Sequence, residues 1–144
     1  MSDTDLCLER LIPAPPEQVF ALWTEPAQII KWWSADRYEI PASDFDVRQG
    51  GRWYATFQPP GGARRTVSGI YRVIEPPRRL VFSWAWLEDD GTRGHETEVT
   101  VTLEPISGGT RLVLRHQHFD SVESRERHDQ GWSASFDCLV KMAG

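Results

Sequence analysis

The segment His116-Gln117-His118-Phe119-Asp120 invites a metal reading. Alternate residues of a strand share a face, so two imidazoles could converge there on one ion. Further ligands are not evident, because His95 and His128 are remote in sequence and Asp120 serves better as a helix cap. No metal and no other cofactor is therefore expected. His116 alone, beside Leu112 and Leu114 on one strand face, then becomes a polar group in an apolar wall. It is either a structural hydrogen-bonding histidine or a proton-transfer group at a cavity mouth. Tyr71 has the same two readings: a hydroxyl that orients a ligand oxygen, or a core tyrosine tied to a neighbour.

Covalent catalysis finds no support. There is no serine in a nucleophile elbow, no phosphate-binding loop, and no histidine next to either cysteine in sequence. Cys7 and Cys138 lie near opposite ends of the chain in neither metal nor redox spacing, and both are expected to be reduced, buried packing residues. The arginine pairs Arg64/Arg65 and Arg78/Arg79 read as solvated strand tips. Glu123, Arg125, Glu126, Arg127 and Asp129 read as a solvated helix face with a favourable Glu123–Arg127 spacing.

These groups sit on 144 residues, enough for one ordinary core and not two, so a single domain over residues 1–144 is expected. The net charge of -5 repels phosphate backbones and anionic lipid surfaces, which makes nucleic acid an unexpected partner. The N-terminus has no basic segment followed by an apolar run, and no stretch is apolar enough to span a bilayer; a cytoplasmic protein without membrane insertion is expected.

The elements that must position these residues follow from periodicity. Leu6 to Ile12 reads as an opening strand, ended by Pro13, Pro15 and Pro16. Two short helices follow, Glu17 to Trp23 and Ala27 to Trp33. Six strands come next: one carrying Phe45 and Val47 up to Gly50-Gly51, then Trp53 to Phe57, Thr66 to Ile74, Leu80 to Leu87, Glu96 to Leu103, and Thr110 to His118. Gly108-Gly109 supplies a tight connection, and the short links require antiparallel pairing. From Ser121 to Ala143 the apolar residues recur at helical spacing over about 34 Å, with Asp120 and Glu123 as a capping box.

About seven strands laid flat would be roughly 33 Å wide, whereas one helix covers only about 10–12 Å. The sheet must curl around the long helix, with the two short helices plugging one edge, and space remains between them. Register assigns to the concave face Trp53, Ala55, Phe57, Val67, Tyr71, Val73, Phe82, Trp84, Trp86, Val99, Val101, Leu103, Leu112, Leu114 and His116. From these and the long helix, the candidate ligand-binding residues are Trp53, Phe57, Tyr71, Phe82, Trp84, Val99, Val101, Leu112, Leu114, His116, Trp132 and Phe136. Gly131, in mid-helix, costs about 1 kcal/mol relative to alanine. Either the helix packs closely there, the favoured reading, or a ligand takes the volume a side chain would fill.

Several stretches together resemble a known family along nearly the whole chain: Ile30-Lys31-Trp32-Trp33, Gly50-Gly51-Arg52-Trp53, the run Gly69 to Trp84 centred on Glu75-Pro76-Pro77, Gly108 to Leu112, and Gly131-Trp132. The chain resembles the family named after activators of the heat-shock protein 90 ATPase, within the START-like (SRPBCC, Bet v 1-like) superfamily. The resemblance implies an α+β helix-grip fold, a curved antiparallel sheet around a long C-terminal helix, and a deep apolar cavity between them. It does not choose a reaction, because the superfamily spans carriers, cyclases and chaperone co-factors. Because the sequence begins almost at the opening strand, the additional N-terminal domain of the eukaryotic activators is not expected, and the namesake activity is not the leading expectation. The expected partner is therefore a small apolar or aromatic molecule, with a cyclase- or hydrolase-type enzyme using His116 or Tyr71, or a chaperone-interacting domain, as alternatives.

Overall fold

The computed structural model describes residues 4–35 and 37–143. Its elements run β1 (Leu6–Ile12), α1 (Pro16–Thr24), α2 (Pro26–Trp33), β2 (Glu39–Phe45), β3 (Arg52–Gln58), β4 (Arg65–Glu75), β5 (Arg79–Trp86), β6 (Thr97–Ile106), β7 (Gly109–Gln117) and α3 (Val122–Ala143). The seven strands form one curved antiparallel sheet in the order β1-β7-β6-β5-β4-β3-β2. Consecutive strands are neighbours from β2 to β7, as short turns demand, and β1 closes against β7 on the far side. No helix among the described residues is long and apolar enough to cross a membrane.

Alternation along each strand sorts the side chains. In β6, Thr97, Val99, Val101 and Leu103 are buried, while Thr102 and Glu104 face solvent. In β1 the inward positions go to Leu6, Leu8 and Ile12, which leaves Cys7 exposed rather than buried; Cys138 of α3 is buried. The period breaks in β4, where Tyr71 pairs with Phe82 but Val73 pairs with Val81. This bulge sends Val73 out of the inward register, and Ile74 packs against the core in its place.

Two boundaries differ from the periodic reading. The second strand ends at Phe45, and Val47 lies in a turn where the Asp46 N–H donates to the Arg52 carbonyl at 3.0 Å and Gly50 takes φ +84°. The long helix is capped by Ser121 rather than Asp120: the Ser121 Oγ accepts the N–H of Ser124 at 3.0 Å. His118 has φ +76°, so the chain turns at the end of β7 and buries Phe119 while His118 stays exposed. That turn separates His118 from the fully buried His116.

Helices α1 and α2 sit within the concave face of the sheet, α1 against β6 and β7 and α2 against β2 and α3. Their Trp23, Trp32 and Trp33 fill much of the width that α3 leaves uncovered.

A half-open aromatic cavity under the long helix

The deep interior is packed with rings rather than hollow. Trp23 meets Trp32 edge-on with centroids 4.6 Å apart, Trp33 meets Trp53 at 5.3 Å, Trp53 meets Phe82 at 5.6 Å, and Trp132 meets Phe136 at 5.9 Å. Edge-to-face contacts of this sort add about 0.5–1.5 kcal/mol each beyond the area they bury. The Trp32 N–H donates to the Leu22 carbonyl at 2.8 Å, while the buried N–H groups of Trp23, Trp33 and Trp53 have no hydrogen-bond acceptor among the described residues.

What remains open is a cavity of about 380 Å³ at one end of the groove, reachable from solvent. Its walls are Phe57 and Pro59 from the end of β3, Arg65 from the start of β4, Trp84 and Trp86 from the end of β5, Trp33 from the end of α2, and Ala35, Arg37 and Tyr38 from the segment that follows it. Its roof is the N-terminal half of α3: Ser124, Arg127, His128, Gly131, Trp132, Ala134 and Ser135. A Cβ added at Gly131 would meet nothing within 4 Å. The expectation that this glycine permits close packing is therefore wrong, because the space beside it belongs to the cavity.

Two histidines hold the inner wall together. The Trp132 indole N–H donates to Nδ1 of His116 at 3.1 Å, and His116 Nε2 lies 2.6 Å from the Thr97 hydroxyl. That hydroxyl donates to the Trp84 carbonyl at 3.0 Å, so it must accept from His116, which is thereby the neutral Nε2–H tautomer. His128 is the opposite tautomer. Its Nε2 accepts the indole N–H groups of Trp86 at 3.0 Å and Trp84 at 3.3 Å, and Nδ1 donates to the Ser124 carbonyl at 2.8 Å. Burial, and then the neighbouring His128, hold His116 well below its ordinary range. Burial also lowers His128; the bond to Ser124 opposes this, and the charges of Arg127 and Arg65 add to it. Tyr71 is buried away from the cavity lining, and burial followed by the Asp46 carboxylate pushes its phenol far up.

Of the residues singled out in sequence, Phe57, Trp84 and Trp132 line the cavity. Trp53, Tyr71, Phe82, Val99, Val101, Leu112, Leu114, His116 and Phe136 lie in the packed core behind it. Periodicity did not single out Trp33, Arg37, Arg65, Arg127 and His128 as cavity residues. A signal existed for His128, which stands one helical turn before Trp132 and so shares its face. Arg65, read as a solvated tip, lies over the Trp86 ring at 4.7 Å. Arg127 does make the expected pair with Glu123, at 2.9 Å, an exposed contact worth about 0.3–0.5 kcal/mol.

This architecture is shared with solved proteins. A structure described as the AHSA1 protein from Silicibacter pomeroyi superposes with a TM-score of 0.86 at 34% identity, covering 96% of each chain. A Rhodobacter sphaeroides protein matches with a TM-score of 0.84 at 29% identity over 98% of this chain and 92% of that one. A Mycobacterium smegmatis protein at 18% identity, with a TM-score of 0.84 over 99% of this chain and 91% of its own, shows the fold alone. Among curated proteins none matches the chain. The family model for Activator of Hsp90 ATPase homolog 1-like proteins matches residues 13–144, and the chain belongs to that family.

Proposed function

We propose that the chain is a non-catalytic binding domain that takes a small apolar or aromatic molecule between the curved sheet and α3. The observation that carries this reading is the cavity of about 380 Å³, walled by Phe57, Trp84, Trp86 and Trp132 and kept open by Gly131. Its size falls within the roughly 300–1,000 Å³ usual for small-molecule sites. An enzyme using His116 or Tyr71 gains little support, because both nitrogens of His116 are committed to protein partners and Tyr71 lies outside the lining. Activation of a chaperone ATPase, the role in the family's description, would require a complex captured by pull-down, and the cavity lends that role no particular support.

The test is titration with the neutral fluorophore N-phenylnaphthylamine, following quenching of the wall tryptophans. Saturable quenching is expected in the wild type, and its loss in Gly131→Leu, whose side chain occupies the open volume. Absence of binding across a panel of neutral aromatics, or binding indifferent to Gly131→Leu, overturns the reading.

A further inference from the structure

The cavity mouth has a charge opposite to that of the protein. The chain as a whole carries -5, yet among the described residues the lining contains Arg37, Arg65 and Arg127 and no carboxylate. Several arginines elsewhere are matched, Arg48 with Asp46, Arg72 with Glu96, Arg79 with Glu75 and Arg111 with Glu9, while others such as Arg78 carry no ion pair among the described residues and lie outside this lining. Among the described residues Arg37 and Arg65 have no carboxylate partner, and each guanidinium lies over a ring instead, Arg65 over Trp86 at 4.7 Å and Arg37 over Tyr38 at 5.8 Å. A guanidinium stacked on a ring keeps its N–H edge free, and that edge matches the two oxygens of an anionic group. Arg127 is shared with Glu123, a partner on the same exposed helix face. Arg65 and Arg127 both act electrostatically on His128 in the cavity wall, so the two charges converge on one end of the site although they come from β4 and α3.

We infer that the ligand is an amphipathic organic anion, whose apolar or aromatic body lies against Trp84, Trp86 and Trp132 and whose negative group sits at the mouth between Arg37, Arg65 and Arg127. This rests on the reading of the cavity as a ligand site and adds the chemical class of its occupant. The N–H groups of Trp84, Trp86, Trp132 and His128 are committed to protein acceptors, so this part of the wall accommodates the body and the rim holds the charge. A protein of net negative charge repels such ligands at long range, and a local basic rim reverses the sign where the ligand enters.

The experiment compares two fluorophores that share one aromatic body, anilinonaphthalene sulfonate and neutral N-phenylnaphthylamine, on the full chain. Replacing Arg65 and Arg127 together by glutamine is expected to weaken the sulfonate about tenfold and the neutral probe less than twofold, with added salt weakening the sulfonate alone. Arg78→Gln, outside the lining, controls for overall charge and is expected to change neither. If the neutral probe binds while the double variant weakens both probes equally, or neither, or if Arg78→Gln weakens the sulfonate as much, the anionic class is overturned and the cavity reading stands. If neither probe binds the wild type, the cavity reading falls and this inference with it.

Discussion

The indole N–H of Trp86, the last residue of β5, meets Nε2 of His128 on α3 across 3.0 Å, and Trp84 donates to the same nitrogen from 3.3 Å. A nitrogen that accepts two N–H groups cannot carry a proton of its own, so the sheet and the helix are joined through a neutral imidazole. His116, with its ring centre 5.3 Å away, is neutral for the same kind of reason, since Nδ1 accepts from Trp132. Protonating either ring would set like donors against each other in a buried wall.

Stability should therefore fall on mild acidification. Both histidines are held below their ordinary 6.5 when folded and recover it when unfolded, so below about pH 6.5 the unfolded chain binds more protons. Each contributes stability that is present in full above pH 6.5 and is lost, by up to about 1.4 kcal/mol per pH unit, as the pH falls toward the folded values. The charges facing this pair, Arg65 and Arg127, oppose protonation of His128 further. Glu96 is lowered by Arg93, and its effect is confined to pH below its ordinary 4.5. Urea midpoints are expected to be level from pH 8 to 7 and to decline from 6.5 to 5, with His116→Asn reducing the slope. Midpoints that stay level down to pH 5 would contradict the neutral pair.

Thr97 carries the other end of that wall. Its hydroxyl accepts from His116 and donates to the Trp84 carbonyl, and the residue is buried. Thr97→Val preserves the shape and orphans two buried groups, each at about 1–3 kcal/mol. A loss of about 2–4 kcal/mol is expected in chemical denaturation, with Thr97→Ser recovering most of it. A valine variant as stable as the wild type would mean that the relay does not hold the wall.

Gly69 tests the sheet itself. A Cβ there would collide with the Ser83 carbonyl of the neighbouring strand and lie 2.6 Å from Trp53 Nε1. Gly69→Ala therefore has to part β4 from β5 or displace a buried indole, and overpacking of this sort costs about 1–3 kcal/mol or more. The expected result is a lower melting temperature together with a changed near-ultraviolet signal from Trp53. A variant that melts unchanged would show that the strands separate without cost.

Much of this was legible beforehand, and the exceptions have physical causes. Turn residues such as Gly50-Gly51 and Gly108-Gly109 mark the strand ends, and period two marks the inward face through Tyr71. The bulge after Tyr71 is silent in sequence, because Val73 and Ile74 are both apolar and either could face inward. The hollow was misplaced for a reason of volume: Trp23, Trp32 and Trp33 belong to the apolar sides of α1 and α2, and their rings occupy the space attributed to a guest. The basic rim was unreadable because Arg37, Arg65 and Arg127 come from three separate segments, each of which looks solvated alone.

Gly131 separates helix energetics from ligand binding. Glycine in a helix interior costs about 1 kcal/mol relative to alanine, through the backbone freedom it loses on folding. An alanine Cβ here meets nothing within 4 Å, so the substitution brings no clash that could offset the gain. Gly131→Ala is expected to raise stability by about 1 kcal/mol in urea denaturation while leaving most of the cavity free. If the glycine were there for close packing, the same change would destabilise the chain instead. A stabilised alanine variant that still binds a neutral aromatic, beside a folded Gly131→Leu that does not, would show that volume in the groove rather than helix propensity is what this position controls.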